Sequence, residues 1–168
     1  LPTKAICCRF FTPAQPDCPA ASVRDFCSGA YNSRCFQPIH IDEAITAKPV
    51  AIILRPGKTP DGAEVTLVLR HVIGHIRARW PAVDIVVRGD SHYARPEAMA
   101  WCERKRIGYI FGLSGNSVLL RRVGDLAEDA ALGRIDGELE KVRRYGELRY
   151  AATSWKTERR VIARVEAG

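Results

Sequence analysis

The stretch Asp84-Ile85-Val86-Val87-Arg88-Gly89-Asp90 carries most of the information about the fold. Its β-branched run predicts a central strand, and Gly89 allows a sharp turn directly after it. Asp90 therefore lies just past the carboxyl end of a strand, where sites form in open α/β sheets. A carboxylate in this position can bind a divalent ion such as Mg²⁺, which prefers hard oxygen ligands. It can equally make the turn or cap the next helix, and spacing alone leaves both roles open.

Helices are predicted before and after this strand in the sequence. Before it, Thr59 is the predicted N-cap, with Pro60 at the first helical position. Apolar residues then recur at helical spacing from Val65 to Trp80. After the strand, a second helix is predicted over 96–106, and a weaker helical segment over 118–132.

Further strands are predicted from apolar runs at 36–41, 49–54 and 109–113. The second and third runs are continuously apolar, so we expect both to be buried on both faces. Alternating patterns at 143–155 and 159–166 predict an antiparallel hairpin. The order of elements predicts an α/β fold, a mixed sheet with helices followed by an antiparallel pair.

Composition narrows the class of protein. The chain has 168 residues, enough for a hydrophobic core, and a net charge of +7. This charge suits contact with a polyanion such as nucleic acid without demonstrating it. No apolar run approaches the roughly 18 residues of a membrane span, and no signal peptide is recognisable. We therefore predict a cytoplasmic protein with no membrane partner.

The first 27 residues differ from the rest of the chain. They hold four of the six cysteines and four of the ten prolines, and they show no readable period. No Cys-x-x-Cys pair occurs, so neither a zinc site nor a disulfide framework is predicted. We expect residues 1–27 to be an atypical segment that is disordered or frameshifted.

Other polar residues have weaker claims to a site. His92 can contact a phosphate or orient a water molecule, and Arg88 and Arg95 can bind phosphates, although each is equally typical of a solvated surface. His71 and His75 are four residues apart on the first predicted helix. The His-Glu-x-x-His pattern of zinc peptidases is absent because Val72 occupies the Glu position, so we predict no metal site there.

Five stretches, taken together and in order, resemble a known family. The likeness is to DDE-type transposases of bacterial insertion sequences, in the group with an inserted β-rich segment. The likeness runs from about Phe36 to Glu166, which is roughly three-quarters of the chain. The stretches are Arg34 to Ile41, Val50 to Pro60 with Leu54-Arg55-Pro56-Gly57-Lys58-Thr59-Pro60, Arg88 to Glu97, Met99 to Glu103, and Tyr109 to Asn116.

The resemblance implies a partial ribonuclease-H-like core over 28–116, followed by the start of the β-rich insertion over 117–168. In that family, two Asp and one Glu bind two Mg²⁺ (or Mn²⁺) ions that cut and join DNA. Asp90 matches the second carboxylate, so it is the predicted catalytic and metal-binding residue. Arg88, His92 and Arg95 are the predicted DNA-binding residues around it.

The chain departs from the family pattern at the two other carboxylates. The family's first Asp belongs to a strand well before Phe36, and no Asp-x-Asp strand occurs there. The third, a Glu on a late helix, is expected beyond Gly168, and Glu138, Glu140 and Glu147 are poor substitutes. We therefore expect a truncated transposase with weak metal binding and little or no strand-cleaving activity.

The resemblance also implies partners and a location. We expect DNA partners, both transposon ends and target DNA, oligomers with a full-length transposase, and a nucleoid-associated place in the bacterial cytoplasm. Two alternatives stay open. One is a non-catalytic DNA-binding or regulatory transposase fragment. The other is an unrelated small metal-dependent α/β hydrolase, in which Asp42, Glu43 or Asp61 would have to lie near Asp90.

Overall fold

A computed structural model of the chain describes the backbone of residues 3–10, 26–28, 33–135 and 141–168, and the side chains of 36–135 and 141–168. The chain forms two structural units, Leu1–Leu113 and Ser114–Gly168. Within the described part, no helix is both long enough and apolar enough to cross a lipid bilayer.

The first unit contains a five-stranded mixed sheet with the order β5-β4-β1-β6-β7. Strand β4 pairs antiparallel with β1 and β5, whereas β6 pairs parallel with β1 and β7. A separate antiparallel pair is formed by β2 and β3. The strands are β1 Thr3–Phe10, β2 Phe26–Ser28, β3 Ser33–Cys35, β4 Ile39–Glu43, β5 Pro49–Ile53, β6 Asp84–Gly89 and β7 Gly108–Phe111.

Strand β1 is where the structure differs most from the expectation for residues 1–27. Its backbone lies in the middle of the sheet, between β4 and β6, and Ile6 pairs with Glu43 on one side and Val87 on the other. Pairing on both sides satisfies the main-chain groups of this segment through residues distant in sequence. The local sequence pattern does not indicate which distant segments a strand pairs with. Residues 11–25 of this segment lie outside the described residues.

Helices α1, Gly62–Arg79, and α2, Pro96–Arg104, pack on one face of this sheet. The N-cap of α1 is Asp61, whose side chain accepts a hydrogen bond from the Glu64 amide at 2.8 Å. The prediction of Thr59 as the cap was therefore wrong, because the helix begins two residues later than the proline pattern suggested. The core formed between helices and strands includes Ile39, Ile41, Val65, Leu69, Val72, Ile73, Ile85, Val87, Trp101 and Cys102.

The prediction that 49–54 and 109–113 are buried on both faces was wrong. Ile52 is 63% exposed, Leu54 is 69% exposed, and Ile110 on β7 is 61% exposed. Strands β5 and β7 are the two edges of the sheet, and α1 and α2 cover only one of its faces. Alternate side chains of these strands therefore join the core while their neighbours face outward.

A buried arginine explains the Leu54-Arg55-Pro56-Gly57-Lys58-Thr59-Pro60 stretch. Arg55 is only 4% exposed, and its Nε and Nη2 donate to the Oε1 and Oε2 atoms of Glu64 at 2.6 and 3.0 Å. Its Nη1 donates to the Lys58 carbonyl at 2.5 Å. This two-pronged ion pair ties the loop after β5 to the first turn of α1.

The second unit contains helices α3, Ser117–Arg122, and α4, Gly124–Ile135, and strands β8, Val142–Tyr150, and β9, Arg159–Ala167. Strands β8 and β9 pair antiparallel, so the predicted hairpin is confirmed. Alternate hairpin residues are buried or half-buried, Ala130 of α4 is buried, and most residues on the outward face of the hairpin are charged. This alternation is typical of a two-stranded ribbon that covers a helix on one side.

Ion pairs on the charged face of the hairpin predict an unusually acidic carboxyl group. Lys141 Nζ lies 2.6 Å from Glu166 Oε1, and Arg143 Nε lies 2.7 Å from Oε2. Hydrogen bonds from Lys141 and Arg143 lower the pKa of Glu166 from 4.5 to about 2. A carboxyl group with a lowered pKa contributes stability above its unfolded pKa, and this contribution is lost as the pH falls through about 2.

An NMR titration of the side-chain carboxyl of Glu166 is therefore expected to show a midpoint near 2, the value set by its two cations. The variant Lys141→Gln removes one of these cations, so the midpoint should rise towards 4.5. A wild-type midpoint already at 4.5 would show that these ion pairs do not form in solution.

Candidate functional site

Asp90 follows the last residue of β6, at the carboxyl end of the strand. Its Oδ1 atom accepts a hydrogen bond from the His92 amide at 2.8 Å and lies 3.1 Å from His92 Nδ1. The Tyr93 amide donates to the Asp90 carbonyl at 3.2 Å, which closes a turn. Asp90 therefore makes a turn, which is the structural role that its sequence position left open beside metal binding.

The carboxylate remains accessible despite its part in the turn. The Asp90 side chain is 48% exposed. Among the described side chains and backbone, none donates a hydrogen bond to its Oδ2 atom. One carboxylate oxygen is therefore occupied by the turn, and the other can meet a cation or solvent.

Two glycines, Gly89 and Gly112, allow neighbouring atoms to approach the backbone of this turn closely. A Cβ atom on Gly89 would lie 2.9 Å from Tyr93 Cδ2 and 3.1 Å from Tyr93 Cβ, and Tyr93 is only 2% exposed. A Cβ on Gly112, directly after β7, would lie 3.2 Å from the Ser91 amide nitrogen and 3.4 Å from the Asp90 carbonyl carbon. The Gly112 amide also donates to the Gly89 carbonyl at 3.0 Å.

Gly112 carries no local sequence pattern that marks it as part of the site. The signal was present in the parallel pairing of β6 and β7, which sets Gly89 beside Phe111 and so brings the residue after Phe111 to the Asp90 turn. Recognising it requires knowledge of which strands are neighbours. Gly112 is a positioning residue, since it contacts the turn that carries Asp90.

The variant Gly112→Ala is expected to displace the Asp90 turn, because the added methyl group meets rigid backbone atoms. We expect a loss of about 1–2 kcal/mol in the free energy of unfolding. Amide chemical shifts of Asp90 and Ser91 should change in NMR spectra. The matched control is Gly74→Ala, where a Cβ meets nothing within 4 Å. Equal behaviour of the two variants would contradict the proposed contact.

The predicted DNA-binding residues lie on or beside this turn. Arg88 is exposed on β6, and His92 is 46% exposed within the turn. Arg95 is the N-cap of α2, and its Nε donates to the His92 carbonyl at 3.1 Å. The structure therefore brings His92 and Arg95 together, with Arg88 two residues before Asp90. Their role in DNA binding stays a prediction.

The strand beside Asp90 contains no acidic residue. The register of β1 on β6 pairs Cys7 with Arg88. Two residues later in each strand direction, the backbone of Arg9 is level with that of Asp90. The sequence of β1 is Thr-Lys-Ala-Ile-Cys-Cys-Arg-Phe. The resemblance expects the first carboxylate on a strand well before Phe36, and β1, which lies in that region, contains no Asp or Glu.

Other acidic residues do not assemble with Asp90 where the structure can be described. Within that part of the chain, no group of three or more His, Cys, Asp or Glu side chains could hold a metal ion. Asp42 and Glu43 belong to β4, two strands away from β6, or about 9–10 Å. Asp61 caps α1, and Glu147 pairs with Arg160. Glu138 and Glu140 lie outside the described residues.

Within the described residues, the carboxylates do not fit the family's pair of metal ions. Asp90 stands there without a neighbouring carboxylate and is half-exposed, whereas a Mg²⁺ pair needs several shared carboxylate oxygens.

Comparison with known proteins gives a family and a distant structural similarity. The profile described as "Transposase DDE domain group 1" matches residues 23–168. No curated protein matches the chain in sequence. One solved structure that matches is "Mos1 transposase paired-end complex with left transposon end", at 9% sequence identity and a TM-score of 0.41. The match covers 78% of this chain and 41% of that one, so the chain spans less than half of that protein's length.

Proposed function

The chain belongs to the transposase DDE domain family, group 1, and on this premise we propose that it is part of a transposase catalytic domain with an incomplete metal site. Membership agrees with the predicted α/β, ribonuclease-H-like class, and the mixed sheet with helices on one face is the corresponding core. It also removes the grounds for an unrelated α/β hydrolase.

One observation carries the proposal of low activity. Strand β1 occupies the central position beside Asp90, yet it contains no carboxylate. With no carboxylate on the strand beside Asp90, Mg²⁺ or Mn²⁺ binds weakly there, because such ions otherwise keep their water ligands. What the chain's own residues supply is a hydrogen-bonded turn whose half-exposed carboxylate keeps one oxygen for a cation or solvent.

A nicking assay in Mg²⁺ or Mn²⁺, on DNA carrying the ends of the element, tests this proposal. We expect no cleavage above background. The variants Asp90→Ala and Asp84→Ala form a matched pair, since both residues are exposed, Asp84 begins β6, and Asp90 directly follows its last residue. Metal-dependent cleavage that is abolished by Asp90→Ala and retained by Asp84→Ala would refute the incomplete site.

DNA is the proposed partner, as transposon ends and as target. The net charge of +7 and the exposed Arg88 beside the Asp90 turn support this. Binding should weaken linearly with salt on logarithmic axes, and Arg88→Ala should reduce the slope by about one. Affinity that does not change with salt would count against DNA binding.

A regulatory role is the second candidate function. A chain that binds DNA without cutting it can join a full-length transposase in mixed oligomers, as a nucleoid-associated protein of the bacterial cytoplasm. Retained DNA affinity without cleavage favours this role. The direct test is co-purification with, and inhibition of, a full-length transposase of the same element.

A further inference from the structure

We propose that His71 and His75 form a surface site for one divalent transition-metal ion, separate from the Asp90 turn. Both residues lie on the exposed side of α1, four positions apart. Residues at this spacing are neighbours on one face of a helix. Imidazole nitrogen suits Ni²⁺, Cu²⁺ and Zn²⁺, whereas Mg²⁺ prefers oxygen.

The ring geometry supports chelation of a single ion. The two imidazole centroids are 4.6 Å apart, with an interplanar angle of 77°. Metal–nitrogen bonds of about 2.0–2.1 Å place the ring centres of two imidazoles in adjacent coordination positions about 4.5–5 Å apart. The observed separation falls within this range, so the two rings are close enough to share one ion once a nitrogen of each is turned towards it.

The site differs from the zinc-peptidase pattern that Val72 excludes. That pattern needs a glutamate base and a third protein ligand, and no third ligand is grouped with the pair within the described residues. A two-histidine surface site leaves the remaining coordination positions to water. Arg70 and Arg79 are exposed on the same helix and add positive charge, so affinity depends on both histidines binding together.

Calorimetric titration of the whole chain with Ni²⁺, under reducing conditions, tests the site. We expect one binding event, weakened roughly tenfold or more by His71→Gln and equally by His75→Gln, because each leaves a single imidazole. His40→Gln, His92→Gln and Asp90→Ala should retain the wild-type affinity. Circular dichroism checks that all variants keep their helices.

A rescue variant separates chelation from a general effect of losing a histidine. Leu67 is 64% exposed and lies four residues before His71. Adding Leu67→His to His75→Gln recreates the spacing, and Ni²⁺ affinity should return. The proposal is overturned if Ni²⁺ binding survives in His71→Gln and His75→Gln, if Asp90→Ala or His92→Gln removes it, or if the rescue fails.

Discussion

Replacing Arg55 with alanine is expected to lower the free energy of unfolding of the first unit by about 2–4 kcal/mol. The guanidinium group is 4% exposed and makes two hydrogen bonds to Glu64 and one to the Lys58 carbonyl. Its loss leaves the Glu64 carboxylate without its buried partner. Glu64 is 30% exposed, so water offsets part of the cost, and the effect falls at or below that of a fully buried pair.

Urea unfolding followed by circular dichroism measures this change. The variant Arg55→Lys keeps the charge but cannot bind both carboxylate oxygens, so it should recover only part of the stability. Arg70→Ala is the matched control, an exposed arginine on α1 that should change stability by less than about 0.5 kcal/mol. Equal effects of Arg55→Ala and Arg70→Ala would show that the ion pair does not hold the loop.

The second large effect is expected from Leu69→Ala on α1. Leu69 is 1% exposed and belongs to the core cluster with Ile41 and Val87. Removing its side chain loses apolar burial and leaves a cavity, which together cost about 2–5 kcal/mol. Helix propensity does not add to this loss, since alanine is the better helix former.

Leu67 provides a control of the same residue type on the same helix. It is 64% exposed, so Leu67→Ala should change the free energy of unfolding by less than about 0.5 kcal/mol. The two variants differ in burial and not in chemistry. Similar losses for both would mean that α1 packs on the sheet through a different face from the one described.

Local pattern predicted several strands. The strand that became β6 appears close to its expected bounds, as does β9, whereas β8 ends at Tyr150 although its pattern was expected to run to residue 155. The helical segment predicted over 118–132 divides into α3 and α4. These elements are recognisable because periodicity and β-branching act within a few residues.

Predictions that depended on which strands are adjacent in the sheet were wrong. Continuous apolar runs suggested burial on both faces, but Ile52 and Ile110 lie on edge strands and face outward. Gly112 gave no local sign that it would contact the Asp90 turn. Burial of a strand and close approach of two loops depend on which strands become neighbours, and the runs themselves do not encode this.

The sequence by itself determined that Asp90 follows a buried strand on a glycine turn, and that the chain resembles a DDE transposase. Only the tertiary structure decided that β1 lies beside that strand, with Arg9 level with Asp90. It also decided that Oδ1 of Asp90 is engaged by His92. The physical reason is that strand order and register arise from hydrogen bonds between segments far apart in the chain. Residue types are fixed along the chain, but the partners of a carboxylate are set by this pairing.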